Sequence, residues 1–181
     1  MTASVVDLHE TPGLVPAVSL ESVWEALRNV PDPEIPVVSI VELGIVREAA
    51  WIHGKLRVIV TPTYSGCPAT DVIRGDIGSA LRDIGVERFA IDTALSPAWT
   101  TDWIAPEAKE KLRRFGIAPP IGNAARISVA GISRLRRRSD VPCPHCGSTT
   151  TSLLAQFGST ACKALYRCDS CREPFDYFKP F

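Results

Sequence analysis

Residues 56–84 read LRVIV-TPTYSGCP-ATDVIRGDIGSALRDI, and this run decides the fold. Leu56, Val58 and Val60 alternate with Arg57 and Ile59, the period-two pattern of a strand with one well-buried face. The period then changes. Val72, Ile73, Ile77, Ala80, Leu81 and Ile84 recur at helical spacing over 68–84, with Pro68 at the first turn and Gly85 as a natural stop. Cys67 stands at the junction of the two patterns. A thiol at a helix N-terminus faces unpaired backbone N–H groups and the positive end of the helix dipole, and both favour the thiolate that binds metals.

Upstream, Leu20, Val23, Trp24, Leu27 and Val30 predict a first helix with Ser19 as N-cap, ended by the three prolines of 31–36. Residues 45–52 read as a strand joined to 56–60 through His53-Gly54, a hairpin turn. Downstream, Phe89, Ile91, Thr93 and Leu95 alternate as a third strand, and a short helix over 105–115 ends at Gly116 and Pro119-Pro120. The expected body is therefore α+β, ordered αββαβα around a mixed sheet, over residues 19–120. Residues 1–18 carry acidic groups, Pro12, Gly13 and Pro16 but no basic n-region, and so read as a flexible leader rather than a signal peptide. Residues 121–140 read as a linker, with a short strand at 127–130.

The tail, 141–181, changes character. Cys143-Pro144-His145-Cys146-Gly147 and Cys168-Asp169-Ser170-Cys171 each place two thiols three residues apart, the spacing that grips one metal on a tight turn. Together they predict a zinc ribbon with a tetrahedral structural Zn²⁺ on Cys143, Cys146, Cys168 and Cys171. Redox dithiols and an Fe–S centre are the competing readings of four cysteines. Arg172 stands where the first knuckle has Gly147, which leaves the second turn less well specified. Cys162 is left over, either a small buried hydrophobe or an alternative ligand, and His145 is expected to face solvent. Leu165, Tyr166, Phe175, Tyr177, Phe178 and Phe181 are expected to pack around the metal or to form a docking surface.

The 181 residues suit one ordinary domain plus a small appendage, and no stretch approaches the ~18–20 apolar residues of a membrane span. Cytoplasm is the expected compartment, where paired cysteines mean metal or redox chemistry. Residues 1–121 hold 11 Lys/Arg against 16 Asp/Glu, and residues 122–181 hold 9 against 4. The basic excess at Arg134, Arg136, Arg137 and Arg138 reads first as a solvated or acid-docking segment. Nucleic-acid binding is disfavoured by the acidic body.

Two body segments look like a site. In a small αββαβα domain the loop holding Asp32 and Glu34 and the loop holding Thr61 and Cys67 can meet at one end of the sheet. Carboxylates, hydroxyl and thiol would then converge as a mixed set able to hold iron transiently. The bland alternative makes Asp32 and Glu34 turn residues and Cys67 a buried thiol.

The segments DPEIPVVSIVELGIV (32–46), TPTYSGCPA (61–69) and GIAPP (116–120) resemble the Fe–S-assembly-associated domain family that includes SufT. With CPHCGS (143–148), FGSTACKALYRC (157–168) and EPFDYFKPF (173–181) following, the resemblance narrows to the PaaD family, encoded with the phenylacetyl-CoA epoxidase of aerobic phenylacetate breakdown. It runs from about residue 20 to 181 and is weakest over 121–140. The resemblance implies an accessory or maturation protein rather than the oxygenase itself. Its clients would be epoxidase components, particularly the Fe–S reductase, with Fe–S assembly proteins as further partners. It carries Asp32, Glu34, Thr61 and Cys67 over as a metal or cluster-transfer site with transient Fe or Fe–S at Cys67, and the four tail cysteines as ribbon ligands. The chain has no Glu-x-x-His pair, no Gly-x-Gly-x-x-Gly loop and no plant-type ferredoxin spacing, in keeping with such a division of labour. A non-catalytic structural subunit or adaptor is the alternative, and a lone thiol would also suit a site shared across a homodimer.

Overall fold

The hairpin and the helix that follows it organise the body. In the computed structural model, residues 18–64, 66–121 and 141–181 are described. Most of the expected leader, the strand at 127–130 and the arginine run at 134–138 lie outside the described residues. Helix α1, Leu20–Arg28, starts at Ser19, whose extended backbone lets its side-chain oxygen accept from Ser22 N at 3.1 Å. It buries Val23 and Leu27. Strands β1, Val46–Ile52, and β2, Lys55–Val60, pair antiparallel through His53 and Gly54, both left-handed at φ 48° and 72°. That two-residue geometry matches the strand twist and sets the register. Helix α2, Ala69–Asp83, crosses over to β3, Phe89–Thr93, which pairs parallel with β2, so the mixed sheet runs β1-β2-β3. A 3₁₀ turn at Thr101–Trp103 and helix α3, Pro106–Arg114, complete the αββαβα order.

Two details of the sequence reading fail locally. Val72 is 51% exposed, because Ala69, Ile73, Ile77 and Leu81 form the buried stripe at four-residue spacing and Val72 lies off it. Leu95 falls beyond β3 and is 58% exposed. Gly44 is needed for another reason. Its φ is +69°, and a Cβ there would lie 2.6 Å from Trp103 Cβ.

The tail is joined to the body: within the expected body of 19–120, β4, Ile117–Ala118, pairs parallel with a tail strand, β7, Pro174–Phe178. With β5, Thr151–Ala155, and β6, Lys163–Cys168, they make a second sheet ordered β4-β7-β6-β5. The body thus supplies one edge of the ribbon's sheet. Tyr166, Phe175 and Tyr177 pack in the ribbon's own core with Val141 and Ala118, while Leu165 is half-buried. Phe178, expected around the metal, is 1% exposed in the body's core instead, 5.9 Å from Trp99 between ring centroids. Phe181 meets Trp99 edge-on at 6.2 Å and packs on the same core. Burying one such ring contributes about 1.5–3 kcal/mol, so the tail helps to stabilise the body. Among the described residues no helix is long and apolar enough to cross a membrane.

Candidate functional site

The loop after α1 is closed by a bridge between Pro31 and Ser39 and by Asp32 N donating to Val38 O at 2.9 Å. Inside it, Asp32 Oδ1 accepts from Glu34 N at 2.9 Å and Ile35 N at 2.8 Å. An Asx turn of this kind fixes the carboxylate. Asp32 is only 7% exposed, and burial raises its carboxyl above the usual range, against the pull of those two N–H groups and of Lys163. Glu34 is raised too, first by burial and then by the charge of Asp32, with Lys163 and the Thr160 hydroxyl opposing.

The second loop leaves β2 with Thr61 N donating to Ile45 O at 2.8 Å. Cys67 N donates to Tyr64 O at 3.2 Å, and Cys67 O accepts from both Thr70 N (3.2 Å) and Thr70 Oγ1 (2.9 Å). Thr70 therefore holds Cys67 just outside the first turn of α2. Asp32, Glu34 and Cys67 line one cavity together with Thr63, Thr70 and Cys162. It is a small, partly open pocket with room for a water or a single ion between these side chains. Thr61 does not join them. It is buried behind the loop and lines a neighbouring cleft with Tyr64, Trp99 and Phe181.

Two groups near this site, Tyr64 and Lys163, escaped the sequence reading, and a third, Cys162, was read only as a buried hydrophobe or an alternative ligand. Tyr64 lines the neighbouring cleft, and its hydroxyl is raised by burial and then by the charges of Cys67, Glu34 and Cys162. Lys163 is buried and paired with Asp176 Oδ2 at 3.5 Å, and its charge reaches both Asp32 and Glu34. Cys162 sits in the turn between β5 and β6, 4% exposed, with its Sγ 3.0 Å from Thr160 Oγ1, and burial raises its thiol. The legible signal was Cys162 itself, the one tail cysteine that the two knuckles leave over.

The ribbon cysteines form a second, separate cluster. Cys143 and Cys171 Sγ lie 3.8 Å apart, Cys146 and Cys168 Sγ 3.6 Å apart, and all four lie within 4.8 Å of one another. A tetrahedron of thiolates about 2.3 Å from a metal has edges of about 3.8 Å, so the donor set fits a metal. Among the described residues no other set of three or more ligand atoms comes this close. Cys168 is lowered to about 6, foremost because the Cys171 backbone N–H donates to its sulfur. Cys171 is pushed up to about 12 despite the opposing Glu173 N–H, by desolvation and by the three sulfurs around it. Four such thiols cannot all ionise without a cation among them. Gly147 and Arg172 end the two knuckles alike, left-handed at φ 76° and 70°, with their N–H groups donating to Cys143 O and Cys168 O. Arg172 thus adopts the conformation that its partner position gives to glycine. His145 is exposed beside Gly116.

Residues 20–88 match the family model described as iron-sulfur cluster assembly protein, and residues 129–179 match the PaaD zinc beta ribbon domain. Fold and cysteine cluster accordingly define an iron–sulfur-assembly-type α+β domain joined to a metal-binding ribbon. A protein of Escherichia coli (strain K12), provisionally named as a component of 1,2-phenylacetyl-CoA epoxidase, is 48% identical over 160 residues, covering 88% of this chain and 92% of that one. The chain belongs to this family, PaaD. An Fe-S protein maturation auxiliary factor of Porphyromonas gingivalis (strain ATCC BAA-308 / W83) is 34% identical over 51% of this chain and 89% of its own. The factor YitW of Bacillus subtilis (strain 168), of the same description, is 33% identical over 49% and 88%. Homology to both the epoxidase component and the maturation factors supports an accessory role in Fe–S or iron-centre assembly.

Proposed function

We propose that this chain is a cytoplasmic maturation factor that delivers iron, or an Fe–S centre in assembly, to the phenylacetyl-CoA epoxidase system, its client being the Fe–S reductase. The observation that carries the reading is one cavity that gathers the Cys67 thiol with the Asp32 and Glu34 carboxylates from two separate loops. Sulfur and oxygen donors together suit a borderline first-row cation that must be both held and released. A single ferrous ion held between these three side chains is the simplest such cargo. Cys67 is the transient ligand, and the two carboxylates tune affinity. Thr61 contributes through the backbone of the Cys67 loop rather than as a donor. The ribbon cysteines hold a structural Zn²⁺, which stabilises a segment too short to bury an adequate core by itself.

The test is anaerobic purification of wild type and Cys67→Ser, with metal analysis and absorption spectra, alongside epoxidase maturation in cells carrying each. One zinc in both proteins, iron only in wild type and loss of maturation in the variant are expected. Full maturation with Cys67→Ser would rule out this role. An adaptor reading draws on Leu154 and Phe157, exposed on and just beyond β5. It predicts that their replacement by Ser, rather than that of Cys67, abolishes maturation.

A further inference from the structure

We propose that the ribbon completes the body's site: Cys162 is a second thiolate beside Cys67 and, with a Glu34 oxygen, ligates one borderline divalent cation. This deepens the reading above and rests on it for Cys67. Cys162 directly precedes β6, whose six residues end at Cys168. At about 3.3 Å per residue the two thiols stand about 20 Å apart along the strand, so Cys162 cannot serve the four-cysteine cluster. It belongs to the body's core and lines the same cavity as Cys67, Asp32 and Glu34. A cysteine kept only for packing has no need of two carboxylates and a lysine around it, and it gains from apolar neighbours. Cys162 instead has Thr160 on its sulfur and Asp32, Glu34 and Lys163 within electrostatic reach.

Two sulfurs and a carboxylate make a donor set suited to ferrous iron and to its surrogate cobalt(II). Each thiol loses its proton to solvent as it ligates, and no electron moves. The donors face one cavity without yet lying within 4.8 Å as a set, so coordination draws the Cys67 loop toward Cys162. The site exists only when body and ribbon are docked, which links cargo binding to the ribbon's metal.

The experiment titrates cobalt(II) anaerobically into the zinc-loaded full chain, following sulfur-to-cobalt charge-transfer absorption and zinc content. Wild type is expected to bind one cobalt with its zinc retained. Cys162→Ala and Cys67→Ser should each lose about half the charge-transfer intensity per bound cobalt, one of two thiolates being gone. Glu34→Gln should bind more weakly at unchanged intensity. Wild-type intensity in a folded, zinc-replete Cys162→Ala overturns the inference while leaving the Cys67 reading intact. Wild-type intensity in both cysteine variants, or no second site in wild type, overturns both. X-ray absorption at the cobalt edge of the unmutated chain gives an answer that does not depend on how Cys162→Ala folds: two sulfur neighbours per added cobalt are expected at about 2.3 Å, and a single sulfur overturns the inference.

Discussion

Stripping the ribbon's metal is expected to loosen the body as well as the tail. Metal binding supplies roughly 10–16 kcal/mol to folded segments of this kind, more than the ribbon core of Tyr166, Phe175 and Tyr177 can replace. Once the ribbon opens, β7 leaves β4 and Phe178 leaves its place against Trp99. Emptying a fully buried phenylalanine site costs about 3–5 kcal/mol, a large part of the ~5–15 kcal/mol that holds an ordinary domain. At about 2–4 °C per kcal/mol for a chain of this size, the body's melting midpoint should fall by about 6–20 °C. The assay is thermal unfolding by circular dichroism with and without a chelator, together with tryptophan emission, which should shift to the red as Trp99 becomes wet. Phe178→Ala in the zinc-loaded protein should reproduce the loss without changing zinc content. If metal analysis shows the zinc gone while the midpoint moves by less than about 2 °C and the emission is unchanged, the shared core is not a source of stability.

Asp32→Asn keeps an oxygen to accept from Glu34 N and Ile35 N and removes a buried charge. Burial raises the native Asp32 above its ordinary value of 3.8, so the folded state holds a proton that the unfolded chain releases first. Its contribution is full below 3.8 and is lost as pH rises through the native value. Urea unfolding should therefore find Asp32→Asn more stable than wild type at pH 7, with the difference gone below about pH 3, while its cation affinity falls. Asp32→Ala forfeits both hydrogen bonds and should lose about 1–3 kcal/mol in the same measurement. Gly44→Ala combines a left-handed φ with a Cβ 2.6 Å from Trp103 and should cost about 2–5 kcal/mol, read as a lower denaturation midpoint. Arg172→Gly relieves the left-handed strain at φ 70° and should raise the melting midpoint of the zinc-loaded chain, gaining about 0.5–1 kcal/mol after glycine's own entropy loss.

Local chemistry was well written in the chain. The Ser19 cap, the His53-Gly54 turn and the period change around Cys67 each depend on neighbours a few residues apart, and the structure carries all three. Errors begin where a residue's surroundings are set from far away. Val72 and Leu95 are apolar by composition, yet among the described residues they stand exposed to water. Thr61, a few residues from Cys67 in sequence, lines the neighbouring cleft instead.

The αββαβα order and the two cysteine knuckles were legible from the chain alone, because periodicity, turn chemistry and ligand spacing are short-range properties, whereas the meeting of the Asp32 and Cys67 loops was only allowed by it. That the tail docks on the body comes from long-range contacts alone. The β4–β7 pairing joins residues almost 60 positions apart, and Phe178, Cys162 and Lys163 acquire their roles solely from that docking. Long-range packing sums many weak contacts that no single residue announces, and here it brings a ribbon cysteine to the mouth of the body's only thiol loop.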